Sequence, residues 1–170
     1  FGVSTPTTEL TKQVIDVARP NVSFEKMTID IYNSRVYLAG KHTWDPITLN
    51  LREDVNNNVQ KLVGEQLQKQ FDFYEQSSAA SGQDYKFTTR IEILDGGNGA
   101  NTPNVLETFE LYGCYVESAN YNQLAYSNST DPVSISLNIQ YDNAIQSPQG
   151  TGIGTAIGRT ANTLVTGGGA

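Results

Sequence analysis

Few residues in this chain have side chains suited to catalysis. His42 is the only histidine and Cys114 the only cysteine among 170 residues. One chain therefore supplies no His pair, no thiolate cluster, no intrachain disulfide and no choice of base for a Ser–His–Asp set. Cys114 sits between Gly113 and Tyr115 with no basic neighbour in sequence to lower its pKa, which reads as a packed or interfacial thiol. Gly152–Ile153–Gly154 with Gly158 approximates a dinucleotide fingerprint, but the spacing is one residue too long, no strand precedes it and no acidic residue follows. Asp95–Gly96–Gly97–Asn98–Gly99 brings one carboxylate and no closing Glu, so it reads as a loop between strands rather than a calcium site. The acids Glu53–Asp54, Glu107 with Glu110, and Asp142 are spread one or two to an element. A glycosidase needs two carboxylates about 5–9 Å apart in an aromatic cleft, and no spacing here supplies them. The sequons Asn21–Val22–Ser23 and Asn128–Ser129–Thr130 carry little weight without a secretion signal. The expectation is no catalytic residue, no cofactor and no metal.

The elements that hold these residues are mostly strands. Ile29 and Ile31 alternate with Thr28 and Asp30, Asn33–Ser34 offers a turn, and Val36–Tyr37–Leu38 returns until Ala39–Gly40, which is a hairpin. Ile47, Leu49 and Leu51 then alternate with Thr48, Asn50 and Arg52. One helix is expected over about 54–76. There Val55, Val59, Leu62, Val63, Leu67, Phe71 and Tyr74 form a single apolar stripe, with Asp54 or Asn56 as cap. Three strands follow. Lys86 to Leu94 turns Phe87, Ile91 and Ile93 inward; Glu107 to Glu117 turns Phe109, Leu111 and Tyr115 inward; Val133 to Tyr141 alternates over its whole length. The fold class is mainly β, an antiparallel barrel or sandwich with one amphipathic helix on one face. The chain divides into an extended segment over 1–23, a β domain over 24–146 and a Gly/Thr-rich flexible tail over 147–170.

Composition narrows the partners. Charged residues make up 17% and apolar ones 38%, while the net charge is −7 and the pI about 4.6. Phosphate-held nucleic acid is disfavoured, since that affinity comes from Lys and Arg. A surface built on Asn, Ser and Thr favours broad protein contacts, because burying these groups costs less than burying charges. No apolar run of about 18 residues and no basic-then-apolar leader is present, which disfavours membrane insertion and standard secretion. The chain starts at Phe1 without a Met, so a further upstream segment is expected.

The order of elements resembles the T4-type contractile phage tail tube protein family. The resemblance is carried by Tyr37–Leu38–Ala39–Gly40–Lys41–His42–Thr43–Trp44, the strand Ile47 to Arg52 with Glu53–Asp54, and the helix to Gln76. It continues through Leu111–Tyr112–Gly113–Cys114–Tyr115–Val116, then Tyr121–Asn122–Gln123–Leu124–Ala125–Tyr126 and the strand Val133 to Tyr141. It spans about residues 24–143 and is one of order and local pattern.

The resemblance implies a non-enzymatic subunit of hexameric rings that stack into a hollow tube, each subunit completing a larger barrel on oligomerisation. Implied partners are the chain itself, a tail sheath protein and the baseplate, initiator and terminator proteins of the tube. DNA passes through the lumen without specific binding. The implied place is the tail of a virion assembled in the host bacterial cytoplasm. An acidic and uncharged-polar lumen repels phosphate, and Thr28, Asp30, Glu92 and Glu110 are the candidate lumen-facing residues. The tube of a related injection or type VI secretion system, and a minor tube initiator or terminator, are the alternatives. Against the family pattern, the strand region that usually precedes the point where Phe1 begins is missing, and the Gly-rich tail after Ser147 runs past the last strand.

Overall fold

The computed structural model describes residues 8–97, 103–124 and 132–147. The Gly152–Gly158 stretch, the second sequon and all but the first residue of the 147–170 tail lie outside the described residues. In chain order the elements are helix α1 (Thr8–Gln13), strands β1 (Val14–Val17), β2 (Asn21–Ile31), β3 (Ser34–Asp45) and β4 (Ile47–Arg52), and helix α2 (Asn58–Gln70). There follow β5 (Phe71–Asp72), β6 (Ser77–Ser78), a single 3-10 turn (Gly82–Asp84), β7 (Phe87–Leu94), β8 (Val105–Asn120), β9 (Ser134–Gln140) and β10 (Asn143–Ser147). The protein is mainly β and every strand pair is antiparallel.

The main sheet runs β1, β4, β9, β8. The 16-residue β8 is its spine. Along one edge of β8, β9 and β10 follow in one register, Tyr115 opposite Gln140 and Tyr112 opposite Asn143. Along the other edge, β7 pairs with residues 105–114. The sheet bends into a half-barrel, and its inward residues Ile47, Leu51, Phe87, Leu111, Val116, Ile135, Leu137 and Ile139 meet Val59 and Val63 of α2 in one core. The alternation read in β4, β7 and β9 is the pattern observed, because each buries one face only.

In β8 the reading needs a correction. Phe109 and Leu111 point inward, but so do Cys114 and Val116, and Tyr115 turns away to meet Tyr85, with ring centroids 6.4 Å apart. The parity changes at Gly113, whose φ of +66° lies in the left-handed region, and the pairing of β7 with β8 slips by one residue there. This is a β-bulge with glycine at the position that needs positive φ.

Helix α2 is shorter at both ends than the 54–76 stretch. Asp54 instead makes a turn, its carboxylate accepting the Val55 N–H at 2.8 Å and its carbonyl the Asn57 N–H at 2.8 Å. Neither Asp54 nor Asn56 caps the helix: Asn57 precedes it at φ 54° with no side-chain cap, and Val55 is 97% exposed. At the other end Phe71 turns extended and Tyr74 is 94% exposed. The buried stripe is Val59, Val63 and Gln66, with Leu62 and Leu67 packed beside it. The short helix α1 lies within the 1–23 segment read as extended, and β1 joins the main sheet beside β4.

Gly64 lies mid-helix with nothing within 4 Å of where a Cβ would stand. Gly64→Ala is therefore expected to stabilise the folded chain by about 1 kcal/mol, read as a rise in Tm of roughly 2–4 °C. A lowered Tm would show that an unseen neighbour fills that space.

Candidate functional site

The chemistry-bearing groups do not converge. His42 is exposed on β3 between Phe24 and Trp44, with ring centroids 6.4 and 6.2 Å away. Cys114 is fully buried, its Sγ–H directed at the Leu111 carbonyl 3.3 Å away. Burial pushes its thiol pKa up, which leaves it protonated and a poor nucleophile at neutral pH. Asp95 accepts the N–H groups of Gly97 and Asn104, each at 3.0 Å, and these hold its carboxyl below the usual range. It ties a strand-connecting loop together. Glu110 accepts the Tyr112 hydroxyl at 2.6 Å, Glu107 accepts the Gln146 amide, and Asp142 pairs with Lys86 at 2.6 Å. Among the described residues no three His, Cys, Asp or Glu side chains are grouped to hold a metal.

The four residues read as lumen-facing fall into two pairs. Glu92 and Glu110 lie on the solvent side of β7 and β8, with Arg90 2.9 Å from Glu92 and 4.0 Å from Glu110. Thr28 and Asp30 lie on the β2–β3 hairpin, where Asp30 meets Arg35 at 2.6 Å. The hairpin forms its own two-stranded sheet, so the two pairs lie on different sheets.

That hairpin is longer than the sequence suggested. It runs from Asn21 to Asp45 around a turn at Tyr32–Asn33, one residue earlier than the Asn33–Ser34 turn read from sequence, and continues past Ala39–Gly40 instead of ending there. Its root packs on the body through Val22, half-buried, and Trp44, buried against Tyr141 with ring centroids 5.6 Å apart. Beyond the root, Met27 opposite Leu38 and Ile29 opposite Val36 share a face with Ile31, while Lys26, Thr28 and Asp30 oppose Ala39, Tyr37 and Arg35 on the other. Both faces of this shaft are open to solvent.

Three further strands have a strand neighbour on one side only. Among the described residues β1 pairs only with β4, and β7 and β10 each pair only with β8. A strand edge of this kind favours addition of another strand.

No family model and no curated protein matches the sequence. Solved structures do match in fold. The chain is similar to one from the baseplate of the anti-feeding prophage, with TM-score 0.58 at 10% identity over 77% of this chain and 78% of that one. It is similar to one from the sheath–tube complex of the extracellular contractile injection system PVC, with TM-score 0.55 at 15% identity over 85% and 99%. A crystal structure of an Hcp protein aligns with TM-score 0.51 at 12% identity over 79% and 69%. The fold is that of chains from contractile injection assemblies.

Proposed function

We propose that this chain is a structural, non-catalytic subunit of a bacteriophage tail tube, in which hexameric rings stack into a hollow conduit for genome ejection. The observation that carries the reading is the half-barrel left unclosed. Among the described residues the sheet ends at β1, β7 and β10, each with a strand on one side only, a separate hairpin stands out from it, and the fold is shared with chains of contractile assemblies. Strands of neighbouring copies pairing around a ring would remove those edges. The sheath, baseplate and tube-end proteins are the outer partners.

In the tube, Thr28, Asp30, Glu92 and Glu110 line the lumen. Their support is position: Thr28 and Asp30 occupy the polar face of the hairpin, and Glu92 and Glu110 the water-facing side of a sheet whose other side is core. Lys26, Arg35 and Arg90 share these faces with the three acids, so the wall is close to neutral and offers phosphate no excess of cations to hold it. A predominantly basic wall potential in an assembled tube sinks this assignment.

A second reading, the tube of a related injection or secretion system carrying protein cargo, is favoured by the kind of assemblies this fold matches. The flanking genes, for a capsid or for effectors, separate the two. Negative-stain microscopy of the purified chain tests both: hollow rods of uniform width are expected, and a chain that stays monomeric at all concentrations overturns the tube.

A further inference from the structure

We propose that the β2–β3 hairpin is an arm hinged at Pro20 and Pro46 and seated on the body of the chain by a releasable latch, the contact of Trp44 with Tyr141. Motion of this arm is a property of the single folded chain and does not depend on whether copies assemble.

A proline stands at both crossings between arm and body. Pro20 directly precedes Asn21, where β2 begins, and Pro46 lies between the end of β3 at Asp45 and the start of β4 at Ile47. Proline has no N–H to carry a ladder across a junction, and the ladders break there. On the body side the Ala18 N–H donates to the Thr48 carbonyl at 2.9 Å. On the arm side pairing resumes with Asn21 opposite Asp45, whose side chains bond at 2.5 Å. Each of these bonds stays within one part, so neither resists rotation of the arm against the body. Among the described residues, the hydrogen bond that crosses from body to arm runs from the Gln140 side-chain amide to the Trp44 carbonyl at 3.3 Å, longer than usual.

Apolar contact is confined to the root as well. Val22 and Trp44 pack on the core of the body. Phe24 then pairs with His42 but Lys26 with Ala39, so two steps along β2 match three along β3, a bulge beside Gly40. Alternation in β2 puts Lys26, Thr28 and Asp30 on the side that Val22 occupies, and the side of the arm that faces the body turns polar directly beyond the root. Neither strand of the arm pairs with the main sheet.

The latch is well packed but poorly satisfied. Its rings stand 5.6 Å apart, and Trp44 is 7% and Tyr141 2% exposed. Yet neither the Trp44 Nε1–H nor the Tyr141 hydroxyl has a hydrogen-bond partner in the protein, although buried Trp and Tyr usually find one. The Asn21 N–H and the Asp45 carboxylate, both on the arm, are the polar neighbours of that hydroxyl, and neither bonds it. Seating the arm therefore gains aromatic packing and costs the hydration of two polar groups at the same spot. Lifting it returns water to both. Opposing terms of this kind in one contact, with prolines at both crossings, make a latch that opens while the body stays folded.

Trp44 is the only tryptophan in the chain, so its indole N–H gives a single signal whose exchange with deuterium reports the latch. In the full chain, at a concentration where it is monomeric, that proton is expected to exchange roughly 100-fold faster than the slowest amides of β9, at a rate that low urea leaves unchanged. The amides paired beside the root, around Ser23 and Thr43, are expected to stay more protected than the indole, because the arm lifts as a unit. Indole exchange locked to that of the β9 amides overturns the latch. Root amides exchanging in step with the indole show an arm that melts instead of swinging, and overturn the hinge. Tyr141→Phe keeps the ring and removes one unmet group, and is expected to slow indole exchange about tenfold. Unchanged or faster exchange in that variant shows a hydroxyl already bonded in the seated state and overturns the releasable latch.

Discussion

Gly113→Ala is expected to destabilise the folded chain by about 2–4 kcal/mol, a large part of the stability of a domain this size. Two costs add. Gly113 holds φ at +66°, which an alanine adopts only at a cost of order 1–3 kcal/mol. A Cβ there would also overlap the Asp142 carboxylate, 2.7 Å from its Cγ, and turning this exposed side chain aside costs under about 1 kcal/mol more. Asp142 moves aside by giving up its pairing with Lys86, while the backbone bond from its N–H to the Tyr112 carbonyl at 2.9 Å is kept. Asp142→Ala alone removes only a partly exposed ion pair, expected to be worth under about 1 kcal/mol. The double variant Gly113→Ala, Asp142→Ala is expected to recover part of the loss, because the carboxylate is gone and the strained φ remains. Urea unfolding midpoints measure all three. A Gly113→Ala midpoint within about 1 kcal/mol of wild type would mean that the bulge is not the fixed point of β8.

The same glycine shows where the fold was legible and where it was not. Strands β4, β7 and β9 could be read from alternation because each keeps one parity from end to end, as Ile135, Leu137 and Ile139 do. Strand β8 changes parity at Gly113, and the side chain that leaves no room for a Cβ there is Asp142, nearly thirty residues later in the chain. Periodicity sees only near neighbours, so alternation alone puts Tyr115 on the core side and Cys114 and Val116 off it. The hairpin was shortened for the same reason. Ala39–Gly40 looked like an ending, whereas Gly40 is a bulge imposed by the facing Glu25 carbonyl. The four lumen candidates were legible as polar positions on strands, and the structure places them on water-facing sides. Which of those sides meets a lumen depends on how copies pack, which no single chain encodes locally.

Making α2 more hydrophobic is expected to weaken the fold. The double variant Gln66→Leu, Gln70→Leu widens the apolar stripe that the sequence displays, yet it is expected to cost about 3–6 kcal/mol in urea unfolding. Gln66 is only 2% exposed, and its amide N–H donates to the Tyr85 carbonyl at 2.7 Å just before β7. Gln70 stands where β7 no longer covers the edge of β8. Its Nε2 donates to the Val116 carbonyl and its Oε1 accepts the Val116 N–H, both at 2.9 Å. The side-chain amide thus takes the place of a neighbouring strand's peptide group. Leucines would leave three backbone groups without partners in a half-buried seam, at about 1–3 kcal/mol each, and the gain from burying two aliphatic chains offsets only part of that. Gln70→Glu separates the two directions of the bond. Its carboxylate can still accept from Val116 N–H but cannot donate to the carbonyl, so it is expected to lose less than Gln70→Leu and to recover as the pH is lowered and the carboxyl gains a proton to donate. A leucine variant as stable as wild type would show that water reaches this seam. The helix would then hold the sheet by its apolar stripe alone, instead of by two glutamines that finish the sheet's hydrogen bonding.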